Sequence, residues 1–296
     1  MPELPEVETM VRGIRPSVQG RQIREVLLCD CHCKPILLEP TIEVINKRVQ
    51  GETVDRVWRR AKRVVLSLSS GDAFVIEPRM TGLMLLDEPP DEGHLRIQWS
   101  FKKTRQSKIV AQATVYNDVW FWDRRGLGTV RLLDTDQQEA VLGLGNLGKD
   151  ALEVTADDWW EVTRKTSSAI KVAMLDQKRV AGIGNLYASE ILHVAKVSPE
   201  LSANKLSKAQ CSRIAETTVS ILETSIQYEG STLGDGTYRN ALNKSGGYQN
   251  AHKVYAQEGE TCPTCRRSKI VRIVQAQRST FFCRNCQRKP RQSKSS

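Results

Sequence analysis

The sequence predicts an α+β chain of several domains, and three observations carry that expectation. Between Gln22 and about Leu133 the chain runs in short β-type stretches, from Asp157 to Tyr228 it runs in helical patterns, and near its end four cysteines stand at metal-ligand spacing. A length of 296 residues with 40% hydrophobic content suffices for two compact domains and a small third module.

The elements follow in order. Pro5 suits the first turn of a helix and Met10, Val11 and Ile14 fall at helical spacing, so a helix is expected from about Pro5 to Arg15. The runs REVLLCDC, TVDRVWRR, RVVLSLS, DAFVIE, LRIQWSF, IVAQATVY and TVRLL then read as strands, with turn signals such as Ser70-Gly71 between several of them. Together they predict a β-sandwich or barrel-like domain. The glycine-rich GLGNLGKD from Gly143 to Asp150 reads as an interdomain linker. Helical patterns cover Asp157 to Leu175, Asn185 to Val194 and Ser207 to Tyr228, the last opened by a capping box of Ser207 and Gln210. From Glu229 to Val254 a long polar, glycine-rich stretch has no clear element; a loop of this length is either disordered or functional.

Net charge narrows the class of partner. A formal charge of +10 and a pI near 9.3 suit a polyanion, because Lys and Arg displace counterions from phosphates. Thr261 to Ser296 holds ten Lys and Arg and no Asp or Glu, which matches the whole net charge. The last residues, Pro290 to Ser296, read as a solvated, disordered end. No apolar run is long enough to span a bilayer, and the acidic start MPELPEVE lacks the basic opening of a secretory leader, so a cytoplasmic protein is expected.

Cys262 and Cys265, then seventeen residues, then Cys283 and Cys286 give the C-x2-C pairs of a four-thiolate structural zinc site. The segment between them reads as two short strands that a metal must staple, since so few residues bury no core of their own. Cys29, Cys31 and Cys33 alternate along an apparent strand with His32 opposite; these and Cys211 read as small buried hydrophobes.

The first residues are chemically unusual. Pro2 follows the initiator methionine, whose removal exposes a secondary α-amine. Such an amine has a reference pKa of about 7.7–8.0 against about 10.4 for lysine, so far more of it is nucleophilic near neutrality. Glu3 and Glu6 stand three residues apart at a helix entrance, where one can carry a proton for the amine, although acidic residues also favour any first helical turn.

Taken together, MPELPEVET, RRAKR around Lys62, LDQKRVAGIGNLYASEIL and RSTFFCRNCQ resemble the formamidopyrimidine-DNA glycosylase family, in order and over nearly the whole chain. The resemblance implies an N-terminal β-sandwich with its leading helix over 1–140, a helix-two-turn-helix domain with a lesion-capping loop over 141–254, a zinc finger over 255–290 and a basic tail over 291–296. It implies one structural zinc, damaged double-stranded DNA crossing the cleft between the halves, and a base-excision-repair enzyme that releases oxidised purines and then cleaves the abasic site. Pro2 would be the Schiff-base nucleophile, Glu3 the general acid, Lys62 the proton donor for β-elimination and Arg278 the group for δ-elimination. His94, Arg125, Lys165, Lys171 and Asn185 would contact DNA, and Met80 would fill the space of the extruded base.

The same residues have plainer readings. Lys62 lies in a basic run with Arg59, Arg60 and Arg63 that suits a solvated strand face, and Met80 and Leu127 suit sandwich core. Two positions depart from the family pattern: Leu127 stands where phenylalanine is usual, and Glu77 where a histidine often faces DNA, which repels phosphate unless Arg79 pairs with it. Two other functions compete, an endonuclease VIII-like glycosylase for oxidised pyrimidines and a catalytically silent DNA-binding protein; the latter needs no Pro2, Glu3 or Lys62. A monomer is the default, since nothing in the sequence requires a dimer.

Overall fold

The first helix shows how local sequence and burial cooperate. In α1 (Leu4–Val18), Leu4, Val7, Met10, Val11, Ile14 and Val18 recur at helical spacing and all are buried. Glu3 is the N-cap and shares a capping box with Glu6, while Pro5 sits in the first turn, where its missing N–H breaks no helical bond. Each large side chain contributes about 1.5–3 kcal/mol by leaving water, and Ile14→Ala costs about 2–5 kcal/mol because a cavity remains. The helix outruns the expected end at Arg15 and passes through Pro16, because Ser17 and Val18 are themselves buried.

The computed structural model describes residues 2–103, 115–234, 236 and 238–288. These divide into two compact units, one joining Met1–Asn146 with Ser225–Gln249 and the other joining Leu147–Thr224 with Asn250–Ser296. Ser225–Gln249, which falls wholly within the helical domain expected over 141–254, clusters with the first unit instead. Most of the expected strand at 109–116 and the end from 290 to 296 lie outside the described residues, as does Met1.

Unit 1 is a two-sheet sandwich. After α1 come β1 (Ile23–Leu28), β2 (Leu37–Glu39), α2 (Ile42–Val49), β3 (Val54–Arg60), β4 (Arg63–Leu68), β5 (Ala73–Glu77), β6 (Gly82–Leu85), β7 (Leu95–Phe101), β8 (Asp118–Asp123), β9 (Thr129–Leu133) and α3 (Thr135–Leu142). One sheet has the order β1-β7-β8-β6 and the other β2-β9-β5-β4-β3. Alternate residues of both sheets, including Val57, Val64, Phe74, Leu83, Trp99 and Phe121, join the α1 face in one apolar cluster. Tyr238 and Ala241 enter the same cluster, and Ala241 comes so near Gly13 that a Cβ there would stand 2.5 Å from its methyl.

Several expectations need correction here. β1 ends at Leu28, so Cys29, Cys31 and Cys33 do not alternate along a strand, and none of the three is fully buried. The chain leaves the sheet because the Lys34 carbonyl accepts from Arg96 Nη1 at 2.9 Å and the Cys31 and Cys33 thiols turn to the Gly93 carbonyl. α2 and α3 are helices where none was expected; each has only eight residues, too few for a clear period.

Unit 2 contains β10 (Lys149–Asp150), α4 (Ala156–Arg164), α5 (Ile170–Met174), β11 (Val180–Ala181), α6 (Asn185–Val194), most of α7 (Lys208–Gln227), β12 (Ile270–Gln275) and β13 (Arg278–Cys283). Part of the expected linker is the strand β10, paired in parallel with β11. The single helix expected over Asp157 to Leu175 is two, because the backbone from 198 to 206 competes for its groups: Ala203 N–H donates to Ser168 O and Asn204 N–H to Thr166 O. α6 and the Ser207–Gln210 box that opens α7 stand as expected. Among the described residues no helix is long and apolar enough to cross a membrane.

Candidate active site and nucleic-acid interface

In unit 1, Pro2 and Glu3 lie together at the head of α1, and both are buried. Glu6 is committed elsewhere. Its Oε2 accepts from Glu3 N–H at 2.9 Å and its Oε1 from Ser231 N–H at 2.9 Å. One carboxylate thus caps the helix and anchors the segment that starts at Glu229. Tyr238 Oη donates toward Glu229 O at 3.0 Å in the same place, and its phenol is held well above its usual pKa by burial and then by the Glu6 charge. Gly230 has φ +79°, and a Cβ there would stand 2.9 Å from Glu6 Oε1, so this turn requires glycine.

Lys62 occupies the two-residue turn between β3 and β4, where Arg60 pairs with Arg63 and Ala61 adopts φ 54°. It is half-buried at a hairpin tip and so does not lie along a solvated strand face. The turn is fastened to α1 by Arg59, whose Nε donates to Glu8 Oε2 at 3.0 Å and whose Nη1 donates to Ala61 O at 2.9 Å. Glu77 takes two cations, Arg63 Nε at 2.7 Å and Arg79 Nε at 2.9 Å. The departure from histidine there is therefore neutralised within the sheet.

Met80, Arg125 and Leu127 are brought together by the pairing of Gly82 with Asp123 across β6 and β8. Asp123 is 0% exposed and knots both turns: Oδ2 accepts from Leu127 N–H and Gly128 N–H at 2.8 Å each, and Oδ1 accepts from Arg125 N–H at 3.2 Å and from the Thr81 hydroxyl. Met80 is half-buried and Leu127 is 36% exposed, so neither belongs to the sandwich core. Arg125 is exposed. His94 bonds Asp91 Oδ1 through Nδ1 at 2.6 Å and sits edge-on to Trp122 with ring centroids 5.6 Å apart. Arg96 is a buried strut beneath these turns, donating Nε and Nη2 to Asp123 O at 2.8 and 2.6 Å.

Unit 2 gathers its candidates where α6 meets β13. Asn185 is the first residue of α6; its Nδ2 donates to Ser279 O at 3.0 Å, beside the exposed Arg278. Lys171 is placed otherwise than a surface phosphate contact would be. It is 0% exposed, and Nζ donates to Asn185 Oδ1 at 2.6 Å, Thr280 Oγ1 at 2.8 Å and Ser279 O at 3.0 Å. It positions Asn185 and the hairpin from beneath. Lys165 is exposed at the C-cap of α4. The hairpin itself turns through Ala276 and Gln277 at φ 46° and 61°, a left-handed pair beside Arg278 in which neither residue is glycine.

Cys262, Cys265, Cys283 and Cys286 bring four Sγ atoms within 4.8 Å of one another. Tetrahedral zinc with bonds of about 2.3 Å sets sulfurs about 3.8 Å apart; Cys262 to Cys286 is 3.8 Å and Cys265 to Cys283 is 3.7 Å. The donor set therefore fits one structural zinc. His193 and Glu190 of α6, which sequence reasoning did not single out, support the finger. His193 bonds Gln287 and Thr264 at 3.1 and 2.8 Å, while Glu190 accepts the N–H groups of Lys253, Val254 and Tyr255 at 2.7 to 2.9 Å. A lone acid in the apolar run ASEIL was the available signal for Glu190, and an Asp just before a glycine turn was the signal for Asp123.

Residues 1–130 match the formamidopyrimidine-DNA glycosylase N-terminal domain, 147–236 the H2TH domain of the same enzymes, and 259–288 the zinc finger found in FPG and IleRS. The formamidopyrimidine-DNA glycosylase of Streptococcus thermophilus is 36% identical over 98% of this chain and 100% of its own length, and that of Chloroflexus aurantiacus 33% over 97% and 98%. Among solved structures, the MutM (Fpg) protein from Thermus thermophilus superposes with TM-score 0.81 at 30% identity, covering 97% of this chain and 98% of its own. Lactococcus lactis Fpg, in complex with DNA containing an abasic site, gives TM-score 0.81 at 28% identity, covering 97% of this chain and all of its own. A sandwich headed by a buried Pro-Glu pair, with a helical unit that carries a four-thiolate finger, is the architecture of a DNA glycosylase. The chain belongs to the formamidopyrimidine-DNA glycosylase family.

Proposed function

We propose that the chain releases oxidised purines such as 8-oxoguanine and formamidopyrimidines from double-stranded DNA, then cleaves the abasic site by β- and δ-elimination. The observation that carries the reading is the Pro2–Glu3 pair buried at the N-cap of α1 in a member of this family. With Met1 removed, the Pro2 amine attacks the sugar C1′ and expels the base, and Glu3 handles the accompanying proton. The resulting iminium acidifies the C2′ proton, so the phosphate leaves by elimination. Lys62, on a turn that Arg59 ties to α1, serves as proton donor for β-elimination, and Arg278 grips the phosphate lost in δ-elimination.

Phosphate contacts come from His94, Lys165 and Asn185, the last held by Lys171. Met80 enters the vacated stack, Leu127 beside it supplies a smaller wedge than an aromatic ring, and Arg125 meets the orphaned base. The Glu229 to Val254 stretch, held at Ser231 by Glu6, covers the flipped base. One zinc on the four cysteines staples the finger, and the enzyme acts as a monomer in the cytoplasm.

Borohydride trapping of protein with an authenticated Pro2 terminus tests this reading. A covalent adduct is expected on 8-oxoguanine and abasic duplexes. Glu3→Gln is expected to lose base excision while still cleaving a preformed abasic site. Neither release of an oxidised purine nor an adduct on abasic DNA would leave a silent DNA-binding protein as the reading.

A further inference from the structure

The loop that leaves β1 carries two thiols that the proposed reaction does not use. Cys31 Sγ donates to the Gly93 carbonyl at 3.0 Å, and Cys33 Sγ lies 3.5 Å from the same oxygen. Both residues are partly exposed. Off a strand, residues two apart come within the Cα separation of about 4.4–6.8 Å that a disulfide needs. A pair sharing one acceptor is thus already gathered for closure and open to solutes.

The same loop is wired to two turns assigned to DNA. Gly93 directly precedes His94. The Lys34 carbonyl, one residue past Cys33, accepts from Arg96 Nη1 at 2.9 Å and lies against Gly126, where no Cβ fits; Gly126 directly follows Arg125. Movement of residues 31–34 therefore reaches both turns through direct contacts.

We propose that Cys31 and Cys33 form an oxidisable dithiol, a modification site whose closure to a disulfide disturbs the His94 and Arg125 turns and weakens DNA binding. The oxidant is hydrogen peroxide. One thiolate attacks a peroxide oxygen, the O–O bond breaks, and a sulfenic acid and water form once the leaving oxygen takes a proton. The second thiol displaces the sulfenic hydroxyl as a second water and the S–S bond forms, so two electrons pass from the sulfurs to the peroxide. Both S–H donors disappear, and the Gly93 carbonyl loses these partners. A ring that spans one residue is strained and so easily reduced by thiols, which makes the modification reversible.

The link to DNA rests on the functional reading above; the disulfide does not. Full-length zinc-loaded protein is treated with limiting hydrogen peroxide while released zinc is followed with a chromogenic chelator, peptides are mapped by mass, and affinity for a duplex with an abasic-site analogue is read by anisotropy. The peptide carrying Cys29 to Cys33 is expected to lose two hydrogens before zinc is released. Affinity is expected to fall roughly three- to tenfold, the scale of one misplaced charged contact, to recover with dithiothreitol, and to stay constant in C31S/C33S. No bridge at doses that leave zinc bound overturns the site, and the wild-type map decides this however the variant folds. A bridge without loss of affinity, or an equal loss in C31S/C33S, overturns the link to DNA.

Discussion

Glu6 and Glu190 perform the same task in different units, and their surroundings make the outcome different. Each is a buried carboxylate on a helix that accepts backbone N–H groups from a distant stretch: Glu6 holds Ser231, and Glu190 holds Lys253 to Tyr255. The stretch held by Glu6 also sends Tyr238 and Ala241 into the main apolar cluster of the sandwich. The stretch held by Glu190 leads to a finger with a small buried cluster of its own, Val254, Cys262, Ile270 and Cys283, two of them zinc-ligand cysteines. Where an apolar core reaches the loop, the carboxylate needs only to orient it. Where none does, a metal must supply the stability.

Removing zinc should break the comparison most sharply. With a strong chelator, or in Cys265→Ser, amides of β12 and β13 should lose hydrogen-exchange protection while β4 and β5 keep theirs, and DNA affinity should fall at least about tenfold as finger contacts to phosphate are lost. Loss of protection in β4 and β5 as well would show that the sandwich depends on the metal. The two carboxylates should then separate by readout. Glutamine offers only one acceptor oxygen, so Glu6→Gln and Glu190→Gln should each cost about 1–3 kcal/mol. Only Glu190→Gln should speed zinc release to a chelator; equal rates in both variants would refute a finger-specific role.

A smaller effect should appear with pH. Burial pushes the His252 imidazole down to about 4 from its usual 6.5. Between those values the unfolded chain binds the proton and the folded one does not, so stability is complete above 6.5 and is lost as pH falls toward 4. Allowing for the partial exposure of His252, the loss is about 1–2 kcal/mol. Because acid also weakens zinc binding, the measurement is the difference in denaturation midpoint between wild type and His252→Gln across that window; parallel curves would assign the whole effect to the metal. The smallest effect belongs to Lys165→Ala, an exposed residue. The melting temperature should stay unchanged, and the slope of log affinity against log salt should fall by about one unit. An unaltered slope would remove Lys165 from the phosphate contacts.

Much of this was legible from residue patterns. The helical spacing of α1, the Ser207–Gln210 box and the C-x2-C pairs are local signals, and each is where the pattern put it. The break between α4 and α5 was not legible, because the backbone groups that compete for Thr166 and Ser168 come from residues 203 and 204. Lys171 illustrates the same limit at the site: a lysine in a basic chain reads as a surface cation until a hairpin more than a hundred residues away closes over its ammonium.

The sequence by itself determined the family, the zinc ligands, the Pro2–Glu3 pair and the alternation of a β-rich half with a helical one, since these depend on residue type and short spacing. Tertiary structure decided which charges are spent inside. Glu6 became a cap and anchor, Asp123 a knot, Lys171 a positioning group, and the Cys31 and Cys33 thiols turned to a single carbonyl. The physical reason is that a buried polar group must find its partner wherever the fold supplies one, and that partner is set by the packing of distant segments rather than by its neighbours in the chain.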